Sequence, residues 1–517
     1  MTLDEIASRN ALRFPRKNAF VMGVDRRTWA QVDSRVTRLA NALRGHRLRR
    51  GDRVAVLLPN CPEYFEIYFG CARAGVIAVP LNYRLTAREL ASILTHADPA
   101  LFIVGARYLD QARELEALLP NLCRRWVLGV GSLAGAADYE SVIASAADTP
   151  VRAAGKDTDP CAIFYTSGTT GLPKGAMVSS VNLEMNGYNE MIADGSRRDD
   201  INLVSTPIYH VGAVFVAVTY MMLGCTQIIV PKFEPGLWLA TMAQSRATVA
   251  LLIPTMINAV LHHPDCDTTD LSALRLIFYG GGPMPPAVLE RAMRRFRCAF
   301  TQGYGLTETL EATFLVADDH VLDGTPLQQK RLASAGREAV GAEVRIVDAD
   351  GAELGPNAVG EILVRSRSVI AGYWKMPEET LNSIRDGWFH TGDLGYLDED
   401  RYLFLVDRKK DMVVSGGVNI YTKEIEAVLY AHPAVLEAAV IGVPDEAWGE
   451  AVTAVIARRA GMDVSAEEIV EHCRARLAGF KKPRHVYFLP ELPKNPSGKI
   501  LKRELRELLG KAPVRAP

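Results

Sequence analysis

At 517 residues the chain is too long for one ordinary domain and implies two or three. Its 48% hydrophobic and 23% charged residues are those of a soluble globular protein, and a formal net charge of -1 leaves no electrostatic footprint for nucleic acid or an anionic membrane. Eight cysteines scattered without a C-x-x-C pair argue against zinc and against a disulfide framework, and fit a reducing cytosol and a cytoplasmic protein.

The opening MTLDEIASRN carries Asp4 and Glu5 and lacks the apolar core of a secretory signal. Residues 30–130 then alternate between two periodicities: a helical pattern from Val32 to Leu43, a strand at Arg53–Leu58, a helix from Cys61 to Ala74 and a strand at Val76–Pro80. Such alternation predicts βαβ units and a largely parallel sheet. A second α/β series is expected over residues 160–320.

That series opens with Cys161–Tyr165, an apolar run bounded by Pro160, which reads as a buried strand. It leads into YTSGTTGLPKG, residues 165–175, and then to a helix approached through Ser179 and Ser180. Glycines let backbone N–H groups converge on an anion, Ser and Thr add donors, and Lys174 adds a mobile positive charge, so the loop is suited to phosphate. It is not a Walker loop, because Lys174 follows Pro173 and precedes Gly175; Gly303-Tyr304-Gly305 does not complete a G-x-G-x-x-G either. Val211–Val230 is uncharged, but Gly212, Gly224, Thr226 and Gln227 interrupt it, which predicts a buried helix followed by a core strand and no transmembrane segment.

Over 335–406 the texture changes to short strands with Gly and Asp turns, such as Val344–Asp348 and Glu361–Val364, a small β-rich subdomain. The charge cluster from Asp407 to Asp411 marks a boundary. Residues 411–517 read as a separate α+β unit: Thr422 caps a helix carrying Ile425, Val428 and Leu429, Ala438–Val443 and Val452–Ala457 are strands, and Ser465 with Glu468 forms a capping box for a helix through Leu477. The expected fold is α/β, with a large N-terminal domain of two α/β sheet subdomains plus the β-rich subdomain, and a small α+β C-terminal domain.

With these pieces placed, the sequence resembles the adenylate-forming superfamily of acyl-CoA synthetases, nonribosomal adenylation domains and beetle luciferases. YTSGTTGLPKG at 165, PIYHVGA at 207, YGGGPMP at 279, QGYGLTET at 302, GWFHTGDLGY at 387, DRKKDMVVSGGVNIYTKEIE at 407 and PKNPSGK at 493 carry the resemblance, over nearly the whole chain. It implies an AMP-binding adenylation domain at 1–406, a hinge at 407–410 pivoting on Lys410, and a mobile C-terminal domain at 411–517. The implied reaction has two steps. A carboxylate attacks the α-phosphate of ATP to give acyl-AMP and pyrophosphate, and the thiol of coenzyme A then expels AMP.

The resemblance also assigns residues. Thr166, Ser167, Gly168, Thr169, Thr170, Gly171 and Lys174 would cradle the β- and γ-phosphates. Glu308 would be the Mg2+ ligand, since a hard cation wants carboxylate oxygen. Gly281, Gly282, Gly303, Tyr304, Gly305, Thr307 and Gly417 would border the nucleotide, and Asp393 with Arg408 its ribose. Lys499 would meet the substrate carboxylate and α-phosphate, and is a target for a regulatory lysine acyltransferase. Trp448, Phe480 and Lys482 would face the coenzyme A nucleotide.

The acyl pocket would be bounded by His210, Gly280, Gly281, Tyr304, Gly305 and Leu310. These stretches contain no Arg or Lys, which argues against a dicarboxylic acid, and no Asp occupies 207–213 to hold an amino group. A fatty or aryl monocarboxylic acid is the expected small-molecule substrate. A stand-alone adenylation enzyme loading a carrier protein and a non-catalytic or luciferase-like ATP-binding protein are the alternatives. The chain ends in Pro-Val-Arg-Ala-Pro and not in Ser-Lys-Leu. A homodimer is compatible with all three.

Overall fold

The computed structural model describes residues 1–120, 123–151, 155–166, 173–282, 284–416, 418–445, 448–494 and 500–509. Two compact units emerge, one of residues 1–344 and 364–390, the other of residues 345–363 and 391 onward.

The first unit holds two large sheets. A seven-stranded sheet runs in the order Ala137–Asp138, Arg124–Leu128, Leu101–Gly105, Arg53–Leu57, Ile77–Pro80, Pro160–Thr166, Lys174–Ser179, and only its last pair is antiparallel. A nine-stranded sheet runs Arg337–Glu338, Leu310–Leu315, Ala299–Leu306, Leu276–Gly280, Val249–Leu252, Ile201–Val204, Thr226–Ile229, Asn18–Met22, Asp25–Thr28. Helices cover these sheets and make the strands near-continuous apolar runs. Helix Pro62–Ala74 is buried along almost its whole length, and Phe65 stacks on Phe20 at 5.5 Å.

The membership of the sheets differs from simple chain order. Pro160–Thr166 and Lys174–Ser179 complete the first sheet instead of starting the second, and Asn18–Thr28 joins the second. Crossovers of this kind follow from which edge is open when a strand packs, information that local periodicity does not carry.

Helix Val211–Met222 is buried at every position except Gly212. Its twelve residues span roughly 18 Å, short of a bilayer core. Among the described residues no helix is long and apolar enough to cross a membrane.

A five-stranded sheet contains Ala342–Val347, Gly360–Ser366, Trp388–Leu397 and Ile384–Arg385, with Leu403–Arg408 paired to Trp388–Leu397. The division between the two units falls within three of these strands.

In the second unit, Val418–Ile420, Val413–Ser415, Gly449–Arg458 and Val435–Asp445 form a sheet, with His485–Phe488 parallel to Gly449–Arg458. Ser465 and Glu468 make the expected capping box, although that helix stops at Arg474 and not Leu477. Thr422 does not cap its helix. It is the first helical residue, and its N–H and hydroxyl both donate to the buried carboxylate of Asp407, fifteen residues upstream. A distant aspartate supplies the acceptor that an N-cap side chain would otherwise provide.

Candidate active site

The glycine- and hydroxyl-rich loop connects two antiparallel strands, not a strand and a helix. Strand Lys174–Ser179 folds back on Pro160–Thr166 and places Thr166 opposite Lys174. Ser179 then caps helix Ser180–Asp194 through a capping box with Asn182. Ser167, Gly168, Thr169, Thr170 and Gly171 lie outside the described residues, as do Gly417 and Lys499. The loop's two ends are therefore what the structure fixes.

Both ends meet groups from far along the chain. The Thr166 hydroxyl lies 3.5 Å from Glu308 Oε1, and the Tyr373 hydroxyl donates to the same oxygen at 3.0 Å. Tyr373 is held there by backbone pairing: Met177 N–H donates to Gly372 O, Trp374 N–H to Gly175 O, and Ala176 bridges Tyr373. Residues 372–374 thus extend the loop hairpin by one more strand-like segment. Lys174 Nζ sits over the Tyr373 ring at 5.3 Å and pairs with Glu379 at 2.5 Å. Tyr373 and Glu379 are neighbours of the loop's two ends that the sequence reading missed.

Glu308 is presented by the turn of a hairpin, Ala299–Leu306 with Leu310–Leu315. Thr309 N–H donates to Leu306 O, and Leu306 N–H donates to the Thr309 hydroxyl. Gly305 is required by close approach, since a Cβ there would fall 1.5 Å from Leu310 O. Leu310 itself adopts φ +51, an uncommon left-handed state for a branched side chain, and is buried. Gly303 faces Gly280 across the parallel pair, and a Cβ on Gly280 would meet Gly303 O at 2.6 Å. Gly280 is a packing glycine; Gly282 faces open space. Tyr304 is nearly buried, and Thr307 is half-buried on the turn.

His210 stands at the start of helix Val211–Met222, its ring 4.5 Å from that of Tyr209. Solvent reaches the ring, yet the protein packed around it lowers its pKa to about 4, and the Arg84 guanidinium pushes the same way. The imidazole is neutral at physiological pH. Arg84 is a cation outside the stretches read as the pocket. Tyr83 stands edge-on to Tyr209 at 5.0 Å.

In the second unit, Asp393 and Arg408 are direct cross-strand partners, with Arg408 Nε 3.1 Å from Asp393 Oδ1. Asp393 N–H donates to the Thr391 hydroxyl, which donates to Ile362 O. Gly392 between them takes φ +68, a conformation that favours glycine. Lys410 follows in the turn and is exposed. Trp448 is 44% exposed beneath the Arg484 guanidinium at 4.1 Å, and Phe480 is 51% exposed, so neither is core; Lys482 is half-buried.

A single carboxylate beside hydroxyl groups, with a lysine at the opposite end of a glycine-rich loop, suits a nucleotide polyphosphate. Comparison with known proteins agrees. Residues 7–374 match the AMP-binding enzyme family, and residues 424–499 match the AMP-binding enzyme C-terminal domain. A feruloyl-CoA synthase from Amycolatopsis sp. is 40% identical over 505 residues, 97% of this chain and 98% of the relative. The ATP-bound structure of MatB from Rhodopseudomonas palustris aligns over 99% of both chains with a TM-score of 0.87 and 32% identity. An o-succinylbenzoate CoA synthetase from Bacillus subtilis, solved with its acyl-adenylate intermediate, aligns over 98% of both chains with a TM-score of 0.86 and 28% identity. The chain belongs to the AMP-binding enzyme family, the adenylate-forming superfamily, and is an AMP-forming acid–CoA ligase that works through an acyl-adenylate.

Proposed function

We propose that this acid–thiol ligase activates an aryl monocarboxylic acid, and that the convergence of Thr166, Tyr373 and Glu308 is where the ATP phosphates are held. The shared Glu308 oxygen is the observation that carries the reading. A carboxylate that keeps a donor hydroxyl on one oxygen is aimed, and a hard cation prefers oxygen ligands of this type. Glu308 and the Thr166 hydroxyl fit Mg2+, which when bound would neutralise phosphate charge. Among the described residues no cluster of three metal-binding side chains exists, which suits a cation held largely by its phosphates.

The protein's own groups then divide the work. Lys174 leaves Glu379 for phosphate oxygens; Thr166 donates to them. Asp393, oriented by Thr391 and Arg408, accepts from the ribose hydroxyls. Gly281, Gly282, Gly303, Tyr304, Gly305 and Thr307 border the base and acyl chain. His210, neutral at pH 7, orients the acyl group by hydrogen bonding and supplies no positive charge. Lys499 meets the charge that develops as the acid's carboxylate attacks the α-phosphate and pyrophosphate leaves. The domain of residues 411–517 turns about Lys410, bringing Trp448, Phe480 and Lys482 to coenzyme A, whose thiol attacks the acyl carbonyl and expels AMP. Acylation of Lys499 would abolish its charge and halt the first step.

The 40% identity with a feruloyl-CoA synthase favours an aryl acid over a fatty acid. Pyrophosphate release with a panel of aryl, fatty and dicarboxylic acids, followed by coenzyme A-dependent AMP release, tests this. Aryl acids should be turned over best; faster turnover of a dicarboxylic acid, or AMP release that ignores coenzyme A, would contradict it.

A further inference from the structure

Lys410 is where the attachments of the chain change sides. Upstream of it, Asp407 and Arg408 pair with Leu394 and Asp393 of strand Trp388–Leu397, and the Lys409 N–H donates to Gly392 O at 2.9 Å. Downstream, Asp411 pairs with Arg506 of the last helix, Lys502–Leu509, at 3.0 Å. Val413–Ser415 then enters the sheet of residues 411–517. The buried carboxylate of Asp407 bridges the two sides. Its Oδ1 accepts the Arg408 N–H at 2.7 Å, while Oδ2 accepts both the N–H of Thr422 and its hydroxyl, the latter at 2.8 Å. Lys502 Nζ donates to that hydroxyl at 2.6 Å and pairs with Glu426 at 2.8 Å.

A turn about one residue moves everything beyond it as a body. Bonds between two downstream groups survive: Lys502 to Thr422, Lys502 to Glu426 and Arg506 to Asp411. The two bonds from Thr422 to Asp407 join opposite sides of Lys410, so a large turn breaks them. The backbone bonds of Asp411 and Met412 to Arg408 O share that fate. A contact made in one of two states and lost in the other shifts their populations by its own strength, and bonds to a charged oxygen are the stronger kind.

The choice of partner is informative. Helix Thr422–Tyr430 has Tyr421 at its N-cap, which contributes no side-chain hydrogen bond, so its first turn takes an acceptor from across the pivot. The helix beginning at Ala466 is capped by its own Ser465, a bond that any rotation leaves in place.

We infer that Asp407 is a positioning residue for the exchange between half-reactions, a latch closed on Thr422 in one of the two catalytic states and open in the other. This rests on the reading of Lys410 as the pivot. Asp407 favours the step run in the latched state and opposes the other. Lys502 keeps the Thr422 hydroxyl in place while the latch is open, ready for Asp407 to return.

Two single-turnover assays on the full-length enzyme test this. One is pyrophosphate release from ATP, Mg2+ and the acid turned over best; the other is coenzyme A-dependent AMP release from preformed acyl-AMP. Asp407→Ala should change the ratio of the two rates by roughly 10- to 100-fold, slowing one step and sparing or speeding the other. Thr422→Ala loses the hydroxyl bond and keeps the N–H, so it should move the ratio the same way by about three- to tenfold, and Thr422→Ser should restore it. Ser465→Ala removes a cap that lies on one side of the pivot and should leave the ratio within about twofold. If Asp407→Ala does not fold, the Thr422 variants decide. Equal slowing of both steps, or a ratio that moves as far with Ser465→Ala, would make Asp407 a helix cap alone and overturn the latch with the pivot intact. Unimpaired thioester formation by Lys410→Pro in the same assays would overturn the pivot reading and the latch together.

Discussion

Glu308 and Glu311 lie on one hairpin, three residues apart, in opposite surroundings. Glu308 rides the turn, half-exposed, with the Tyr373 hydroxyl on one oxygen; Glu311 is buried behind Gly303 with an oxygen unpartnered. The first is aimed by a hydroxyl at the turn, where it can meet cations and phosphate. Desolvation and the Asp194 charge push the second up to about 8. Environment, not residue type, divides the labour.

The comparison can be broken most forcefully at the turn. Glu308→Gln should slow acyl-AMP formation by about 100- to 1,000-fold for every acid alike, measured as single-turnover pyrophosphate release. A loss confined to some acids would move Glu308 into the acyl pocket. Next, Tyr373→Phe removes the donor that aims Glu308. A hydrogen bond to a charged group contributes ~1.5–3 kcal/mol, so a roughly 10- to 100-fold loss is expected, again independent of the acid. An unaffected rate would make Tyr373 a packing residue.

A smaller effect sharpens the buried side. The Glu311 carboxyl releases its proton near 4.5 when unfolded but only at about 8 when folded, so between these values the unfolded state binds fewer protons. Its contribution to stability is complete below pH 4.5 and is lost as pH rises through about 8. Denaturant midpoints measured across this window should fall less steeply for Glu311→Gln than for the wild type. Parallel curves would show that the carboxyl is not held protonated. The smallest effect is expected in the other unit: Lys410→Ala should leave both half-reactions within about twofold, its side chain being exposed. Lys410→Pro, by locking φ, should keep pyrophosphate release and lose thioester formation; equal losses would remove Lys410 as the pivot.

Much of this was legible in the sequence where the signal is local. The strands at Arg53–Leu57 and Pro160–Thr166, the helix of Pro62–Ala74 and the Ser465 capping box each lie within a few residues of their prediction. Thr166, Lys174, Glu308, Asp393 and Arg408 were marked by motifs. Tyr373 was not, because its link to Glu308 spans 65 residues and depends on a three-residue segment pairing with strand Lys174–Ser179. Asp407 was read as part of a charged boundary, since nothing local tells that it caps a helix fifteen residues later. Glu311 follows a recognised motif but looks like any strand acid. Its burial is decided by helix Ser180–Asp194, which packs against that strand from more than a hundred residues upstream.

The most direct measurement is a side-by-side comparison of Glu308→Gln and Glu311→Leu in acyl-AMP formation, with ATP titrated against 4-hydroxycinnamate and against cinnamate. Glu308→Gln should impair both acids equally and raise the KM for ATP, whereas Glu311→Leu should leave the KM for ATP in place. If the two variants fail in the same way, the division of labour along this hairpin is wrong.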